Sequence, residues 1–460
     1  MVTRNLLGTQ TRSAAIAALL LAVPFAAMWA LHDLGANVVS FIAFAMAAGA
    51  VYLVALFALH HSAEKRAAFW LIIAGAIVFR TLLLPSPPEL SEDLNRYRWE
   101  GRVQLHGWNP YAIAPNDPRL TYLRENDFWR VPAQEVGVIY PPLMELVFRE
   151  STRLLYAVSP NPNVLWHKFP FVLGDLAILA LLAGQVRAGR IRNYQLAMYA
   201  WNPLVIVEIA GSGHMDSLAM LAMLGAVLLL ERQRSVLSTT LLSAAAVLKV
   251  WPLVFVPLWL RHLNFLRDRK AWLAVAPALA LPALVWWPFR GGEGFLIESL
   301  AFTEKHFRFN NSGLYMLLRS IHNTHEFAAG IAMGVVAALA LWAAARKLEP
   351  VRAIPIVLAA VLLFAQNSFS WYFLWPLPFL ALRPMTRFTL AWLTLTVTQF
   401  LSYEVVIRYY ALREWRFLPF FLFLTYAPFF VVLFWPKFAL RAPATASSPA
   451  PVSATPAQAD

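Results

Sequence analysis

Cysteine is absent from all 460 residues, which removes disulfides, thiolate nucleophiles and cysteine metal ligands together. Charge is scarce as well, since Asp, Glu, Lys and Arg make up only 14% of the chain. That is too little to clothe a globular domain in water. No HExxH, EF-hand, GxGxxG or Walker-type pattern occurs, so no metal and no nucleotide cofactor is expected. Glu92, Asp93 and Asp216 offer too few oxygen ligands for a hard cation. No stretch on the cytoplasmic side is long enough for a nucleotide-binding domain.

What is there is apolar. The hydrophobic fraction is 60% and the mean hydropathy +0.57, which describes an integral membrane protein. Apolar runs recur near 13–31, 38–59, 67–84, 164–186, 194–209, 215–230, 236–260, 271–289, 328–346, 353–382, 386–403 and 416–437. Each approaches the 17 to 25 residues a helix needs to cross the hydrocarbon layer. The expected fold is an all-α polytopic bundle of about a dozen crossings spanning residues 1–438, some of them paired half-helices. Arg4 and Arg12 before the first run resemble a signal peptide, but a second run follows at once, so the first is read as a retained helix. The net charge of +13 comes from short clusters between apolar runs rather than from one basic stripe, so anionic lipid is the expected partner and nucleic acid is not. Residues 439–460 are mostly Ala, Pro, Ser and Thr, the composition of a disordered tail.

Charge asymmetry sets the expected orientation. Arg4 and Arg12, then Glu64, Lys65 and Arg66, mark cytoplasmic ends, so the third run exits on the far side. Residues 85–139 then form a first outer loop and 290–327 a second. The clusters at 187–192, 231–235 and 261–270 look cytoplasmic too. One segment leaves two readings open. Residues 141–159 either cross the membrane, which puts the 187–192 cluster outside, or form an amphipathic surface helix bearing Glu145, Arg149, Glu150 and Arg153.

Ionisable groups are costly in hydrocarbon, so where they gather is informative. They gather at helix ends and in the two outer loops. The stretch "SEDLNRYRWEGRVQLHGWNPY" (91–111) reads as a helix capped by Ser91, with Glu92 and Asp93 in its first turn and Gly107 after its end. Glu92, Arg96 and Glu100 are spaced four apart and can pair along one face. Ordinary interfacial ion pairs account for that pattern equally well, but Asp93 lies off the pairing face.

The acidic pair with "RYRWEGRVQLHGWNPY", followed by "YPPL" (140–143), "WNPLVIVEIAGSGHMD" (201–216), "LKVWPL" (248–253) and "WYFLWPLPFL" (371–380), resembles the GT-C superfamily of glycosyltransferases. More narrowly, it resembles bacterial polytopic mannosyltransferases that use polyprenyl-phosphate mannose. The resemblance covers roughly residues 65–440, in the family's order. It implies a GT-C fold, an aspartate of the first outer loop as catalytic base, a polyprenyl-phosphate sugar donor, a lipid or glycan acceptor, and inverting transfer on the outer side of a bacterial inner membrane. Glu100 stands where that branch usually has Asp, and Met215 where Asn is usual. These departures bear on sugar and acceptor specificity more than on reaction type.

Transfer from a lipid phosphate needs one base for the attacking hydroxyl and cations for the departing phosphate. Asp93 is the candidate base, with Glu92 as the alternative. A helix N-terminus would lower its pKa and burial beside apolar substrate would raise it. Lys168, His214, Lys249, His306 and Arg308 are candidates for the donor phosphate. Lys249 interrupts an apolar run just before Pro252, which points to a broken helix, although a lysine there can also snorkel to the interface. Arg96, Asn109, Tyr111, Asp216, Asn310, Trp371 and Tyr372 complete the candidate substrate-binding set. Competing readings stand beside these: His214 and Asp216 in a plain polar turn, His306 as a solvated histidine, Asn109 and Asn202 at turns or helix starts, and the aromatic residues as an interfacial belt. A multi-pass transporter or lipid flippase is the rival function, with Lys249 and Pro252 on an interrupted helix as its best support.

Overall fold

The computed structural model describes residues 8–267, 270–306, 312–412 and 414–435, and among them there is helix and turn but no strand. The tail expected at 439–460 lies outside the described residues. Among the described residues, seven helical segments are long and apolar enough to cross a membrane: Thr9–Ala30, Val38–His60, Arg66–Leu83, Val164–Arg187, Ala271–Phe289, His325–Ala345 and Arg387–Tyr409. Shorter apolar helices, Ser235–Leu248, Pro350–Leu363 and Pro419–Phe434, pack among them. The polytopic helical bundle is therefore observed, but several of the dozen uninterrupted runs are broken.

The first three helices, α1 (Thr9–Ala30), α2 (Val38–His60) and α3 (Arg66–Leu83), pack against each other. One end of the bundle is tied by polar contacts. Arg192 Nε lies 3.1 Å from Glu64 Oε1, and Gln10 accepts from the Lys65 backbone at 2.7 Å and from Asn193 Nδ2 at 3.0 Å. The clusters at 64–66 and 187–192 thus share an end. That resolves the open reading of 141–159. The segment forms α5 (Pro142–Val158), with Met144, Phe148 and Thr152 buried on one face and Arg149 and Arg153 paired to Glu150 on the other. It is an amphipathic helix packed on α4 (Asp93–Leu105). Gly101 permits this close crossing, because a Cβ there would sit 2.1 Å from Thr152 Oγ1 and 2.6 Å from the Phe148 carbonyl.

Downstream of α6 (Phe169–Arg187) the chain breaks where the sequence runs apolar. After α7 (Asn193–Ala200), Asn202 Oδ1 accepts the Leu204 N–H at 3.0 Å and starts the single turn α8 (Pro203–Val205). A π-helical turn, Ile206–Gly211, follows. Such wide turns occur often at functional sites. Gly213 then adopts φ +83°, and the chain enters α9 (Asp216–Glu231). The next helix, α10 (Ser235–Leu248), stops at Lys249, whose backbone is extended at φ −158°, ψ 142°. Pro252 lacks the N–H that would have continued the ladder to Leu248. The run at 353–382 breaks likewise, between Leu363 and a 3-10 turn at Ser370–Leu374.

Candidate active site

The breaks converge on one cavity. Its volume is about 710 Å³, and its walls come from the start of α4, the end of the first outer loop (132–141), the Lys249 break, the 367–375 turn and residues 402–417. Its lining includes the polar residues Glu92, Asp93, Arg96, Tyr97, Lys249 and Ser370 and the apolar and aromatic residues Trp251, Val405, Val406, Trp415 and Phe417. A groove of this size and duality suits a ligand with a charged head and a greasy tail.

Asp93 is the first residue of α4, and its N–H donates to Ser91 Oγ at 3.3 Å. Glu92, not Ser91, occupies the cap position, and its side chain forms no capping bond. The predicted Gly107 terminus holds, at φ +80°. Asp93 Oδ2 accepts from Tyr97 OH at 3.4 Å and lies 3.6 Å from His214 Nδ1. Burial pushes its carboxyl above the ordinary range, against the opposing pull of His214 and Lys249, while Asp216 adds to the rise. Of the two effects weighed from sequence, the direction is the one that burial favours. Burial raises the Glu92 carboxyl as well, opposed by Arg130.

Lys249 Nζ lies 2.6 Å from Asp216 Oδ1, and that oxygen also accepts from Trp375 Nε1 at 2.5 Å. The ammonium sits 4.7 Å from the Tyr372 ring centroid and 5.4 Å from that of Trp375. An ammonium has three donors, so its tie to Asp216 leaves capacity for a bound anion. His214 stacks on Trp371 with centroids 3.8 Å apart and planes 17° apart. Asp93, His214, Asp216, Lys249, Trp371 and Tyr372, scattered over some 280 positions of sequence, are thus one cluster.

Other candidates have different tasks. Lys168 is fully buried, and its Nζ lies within hydrogen-bond reach of four carbonyl oxygens, those of Leu84 at 3.1 Å, Ser86 at 2.6 Å, Ala210 at 3.3 Å and Gly211 at 2.5 Å. It clamps the end of α3 to the π-turn and does not line the cavity. Arg96 borders the cavity, yet its guanidinium is engaged by Glu100 and by the carbonyls of Pro132, Ala133 and Val136, so it shapes the loop. Of the expected pairs in this helix, Arg96 with Glu100 forms. Asn109 caps the turn at Pro110–Ala112 and donates to the Phe289 carbonyl at 2.8 Å. Tyr111, 1% exposed, packs on Trp286 and Phe289 and donates to the Tyr140 carbonyl. Both fasten the two outer loops to each other instead of facing the cavity. His306 is exposed and stacked on Phe302, away from the cavity lining, to which the second loop contributes Thr303. Arg308 and Asn310 lie outside the described residues.

The sequence reading missed Glu208. It is completely buried, accepts from Ser370 Oγ at 2.6 Å and Tyr403 OH at 2.5 Å, and lies 3.3 Å from His214 Nε2. The signal was a lone acid inside "WNPLVIVEIAG", where an unpaired carboxylate would be costly. Trp375 and Tyr97 were missed for lack of any such signal.

Helical breaks that gather a carboxylate, a lysine and aromatic rings beside an apolar groove define a polytopic membrane protein built for an amphiphilic ligand. The family described as alpha-(1->6)-mannopyranosyltransferase, N-terminal domain, matches residues 11–263. That is more than half of the chain, which therefore belongs to this family. The chain is 26% identical over 221 residues to alpha-(1->6)-mannopyranosyltransferase A of Mycobacterium tuberculosis, a match covering 46% of this chain and 40% of that protein. It thus aligns with less than half the length of that curated relative. No solved structure matches it.

Proposed function

We propose that the protein is a membrane-embedded inverting mannosyltransferase that moves mannose from polyprenyl-phosphate mannose to a lipid-linked or glycan acceptor on the extracytoplasmic side of a bacterial inner membrane. Family membership supports mannosyl transfer. The observation that carries the reading is the cavity itself: Asp93 and Lys249 both line it, together with apolar and aromatic side chains such as Trp251, Val405, Val406, Trp415 and Phe417. The polyprenyl chain occupies the greasy side, with the sugar phosphate at the polar end. Asp93 takes the proton from the acceptor hydroxyl as its oxygen attacks the anomeric carbon. The bond from that carbon to the phosphate oxygen breaks with its electron pair on the phosphate, and Lys249 stabilises the anion that departs. Trp371 and Tyr372 border the space where the sugar would lie.

Asp93→Asn tests this. Transfer of radiolabelled mannose from polyprenyl-phosphate mannose to a crude lipid extract should fall by at least ~100-fold, with expression and thermal unfolding unchanged. Retained transfer would move the base to Glu92 or overturn the reading. Uptake of the donor into proteoliposomes without sugar transfer would favour the flippase instead.

A further inference from the structure

Behind Asp93 stands a second carboxylate that the transfer chemistry above does not use. Glu208 is 0% exposed. Its Oε1 is saturated by the Ser370 and Tyr403 hydroxyls. Its Oε2 makes no hydrogen bond and faces His214 Nε2 at 3.3 Å. His214, also 0% exposed, has no hydrogen bond on either ring nitrogen, and its Nδ1 faces Asp93 Oδ2 at 3.6 Å. Stacking on Trp371 holds the ring between the two acids, with one nitrogen near each. The inserted residue of the π-turn and the positive φ of Gly213 are what bring Glu208 and His214 together, six positions apart.

We propose that Glu208 is a positioning residue for the transfer: through His214 it holds the Nε2–H tautomer, so that Nδ1 presents a lone pair to Asp93 and receives the proton that Asp93 has taken from the acceptor. The inference rests on the function proposed above. The steps balance. The acceptor O–H gives its proton to Asp93 as the new glycosidic bond forms and the sugar-phosphate bond breaks onto the phosphate. Asp93 then passes that proton to His214 Nδ1, and the imidazolium rests against the Glu208 anion until the products leave, when it returns the proton through Asp93 to the water that enters the cavity. The relay keeps Asp93 anionic while lipid still fills the groove, so the proton is not handed back to the new glycosidic oxygen. Orientation of a histidine by a buried carboxylate is a general device for setting its tautomer.

Other groups face this chain. Around Asp93 are Tyr97 on its own helix, neighbouring Glu92, Tyr140 of the first outer loop, Tyr372, Asp216 and Lys249. Around Glu208 are His214, Ser370 and Tyr403. None of them places a second titratable group between Glu208 and the ring.

The test uses the full chain in lipid nanodiscs, with radiolabelled polyprenyl-phosphate mannose as donor and octyl α-mannoside as acceptor probe. Glu208→Gln should lower kcat by on the order of 100-fold with KM nearly unchanged, and Glu208→Asp should recover part of the loss. Magnetic resonance of isotope-labelled histidine should show the Nε2–H tautomer of His214 in the wild type and its loss in Glu208→Gln. A kcat loss with an unchanged tautomer would reduce Glu208 to a structural role and overturn the proposal. If Glu208→Gln fails to fold, His214→Gln decides: it occupies the stack but takes no proton, and full kcat in it would overturn the proposal. If the wild type transfers no mannose, the proposed function falls, and the tautomer measurement still judges the link between Glu208 and His214.

Discussion

Residues 193–217 and residues 271–345 are both rich in apolar side chains, yet they face different solvents. The first stretch is buried throughout. Two of its polar residues are held by partners from distant helices: Asn202 Nδ2 donates to Tyr52 OH at 3.2 Å and to Thr396 Oγ1 at 3.0 Å, and Tyr199 OH donates to Asp175 at 2.7 Å. The second stretch leaves Leu273, Leu279, Leu284 and Met333 from 68% to 69% exposed. Apolar exposure on that scale belongs against lipid, not water. Protein packing around 193–217 permits broken helices and buried charge, because freed backbone and polar groups find partners. Lipid around 271–289 and 325–345 permits neither. The chemistry therefore sits on the first region, and the second is bounded by long uninterrupted helices.

This contrast can be broken by mutation. The largest stability effect is expected from Asp175→Ala, which leaves the Arg80 guanidinium, only 3% exposed, without the carboxylate 2.5 Å away. A loss of about 3 to 5 kcal/mol is expected, measured as thermal unfolding in detergent. A loss below ~1 kcal/mol would mean that the buried pair is solvated after all. A middle effect concerns pH. Asp93 and Asp117 lie in the same outer loop, yet hydrogen bonds from Arg119 hold Asp117 at about 2, while burial lifts Asp93 above its ordinary value. A base must be ionised, so transfer activity should fall as pH drops through a midpoint above the ordinary carboxylate value, not below it. A pH profile of mannosyl transfer locates that midpoint, and one at or below the model-peptide aspartate value would place the base elsewhere. The smallest effect is expected from Leu279→Ala, at 69% exposure. Less than about 0.5 kcal/mol should be lost, and a larger loss would show a protein partner on that face.

Much of the fold was legible because its signal is local. An apolar run of helix length, a basic cluster at its end, and a glycine after a polar helix each depend on neighbouring residues, and Arg66–Leu83, Lys249 and Gly107 behaved as read. The site was legible in part. Asp93 stood out because it was an acid just beyond the third helix, and Lys249 because it broke an apolar run. Lys168, Asn109 and Tyr111 carried the same kind of signal, but their partners are main-chain carbonyls, which no side-chain pattern announces. Glu208 had a signal but no visible partner, since Tyr403 is 195 positions away.

The sequence by itself determined that this chain is helical, membrane-embedded and free of thiol chemistry, because composition and run length act residue by residue through transfer free energy. Only the tertiary structure decided which buried charges meet in the cavity and which merely clamp backbone. That choice depends on contacts between helices far apart in the chain, and a polar group in an apolar interior takes whichever partner the packing brings within about 3 Å.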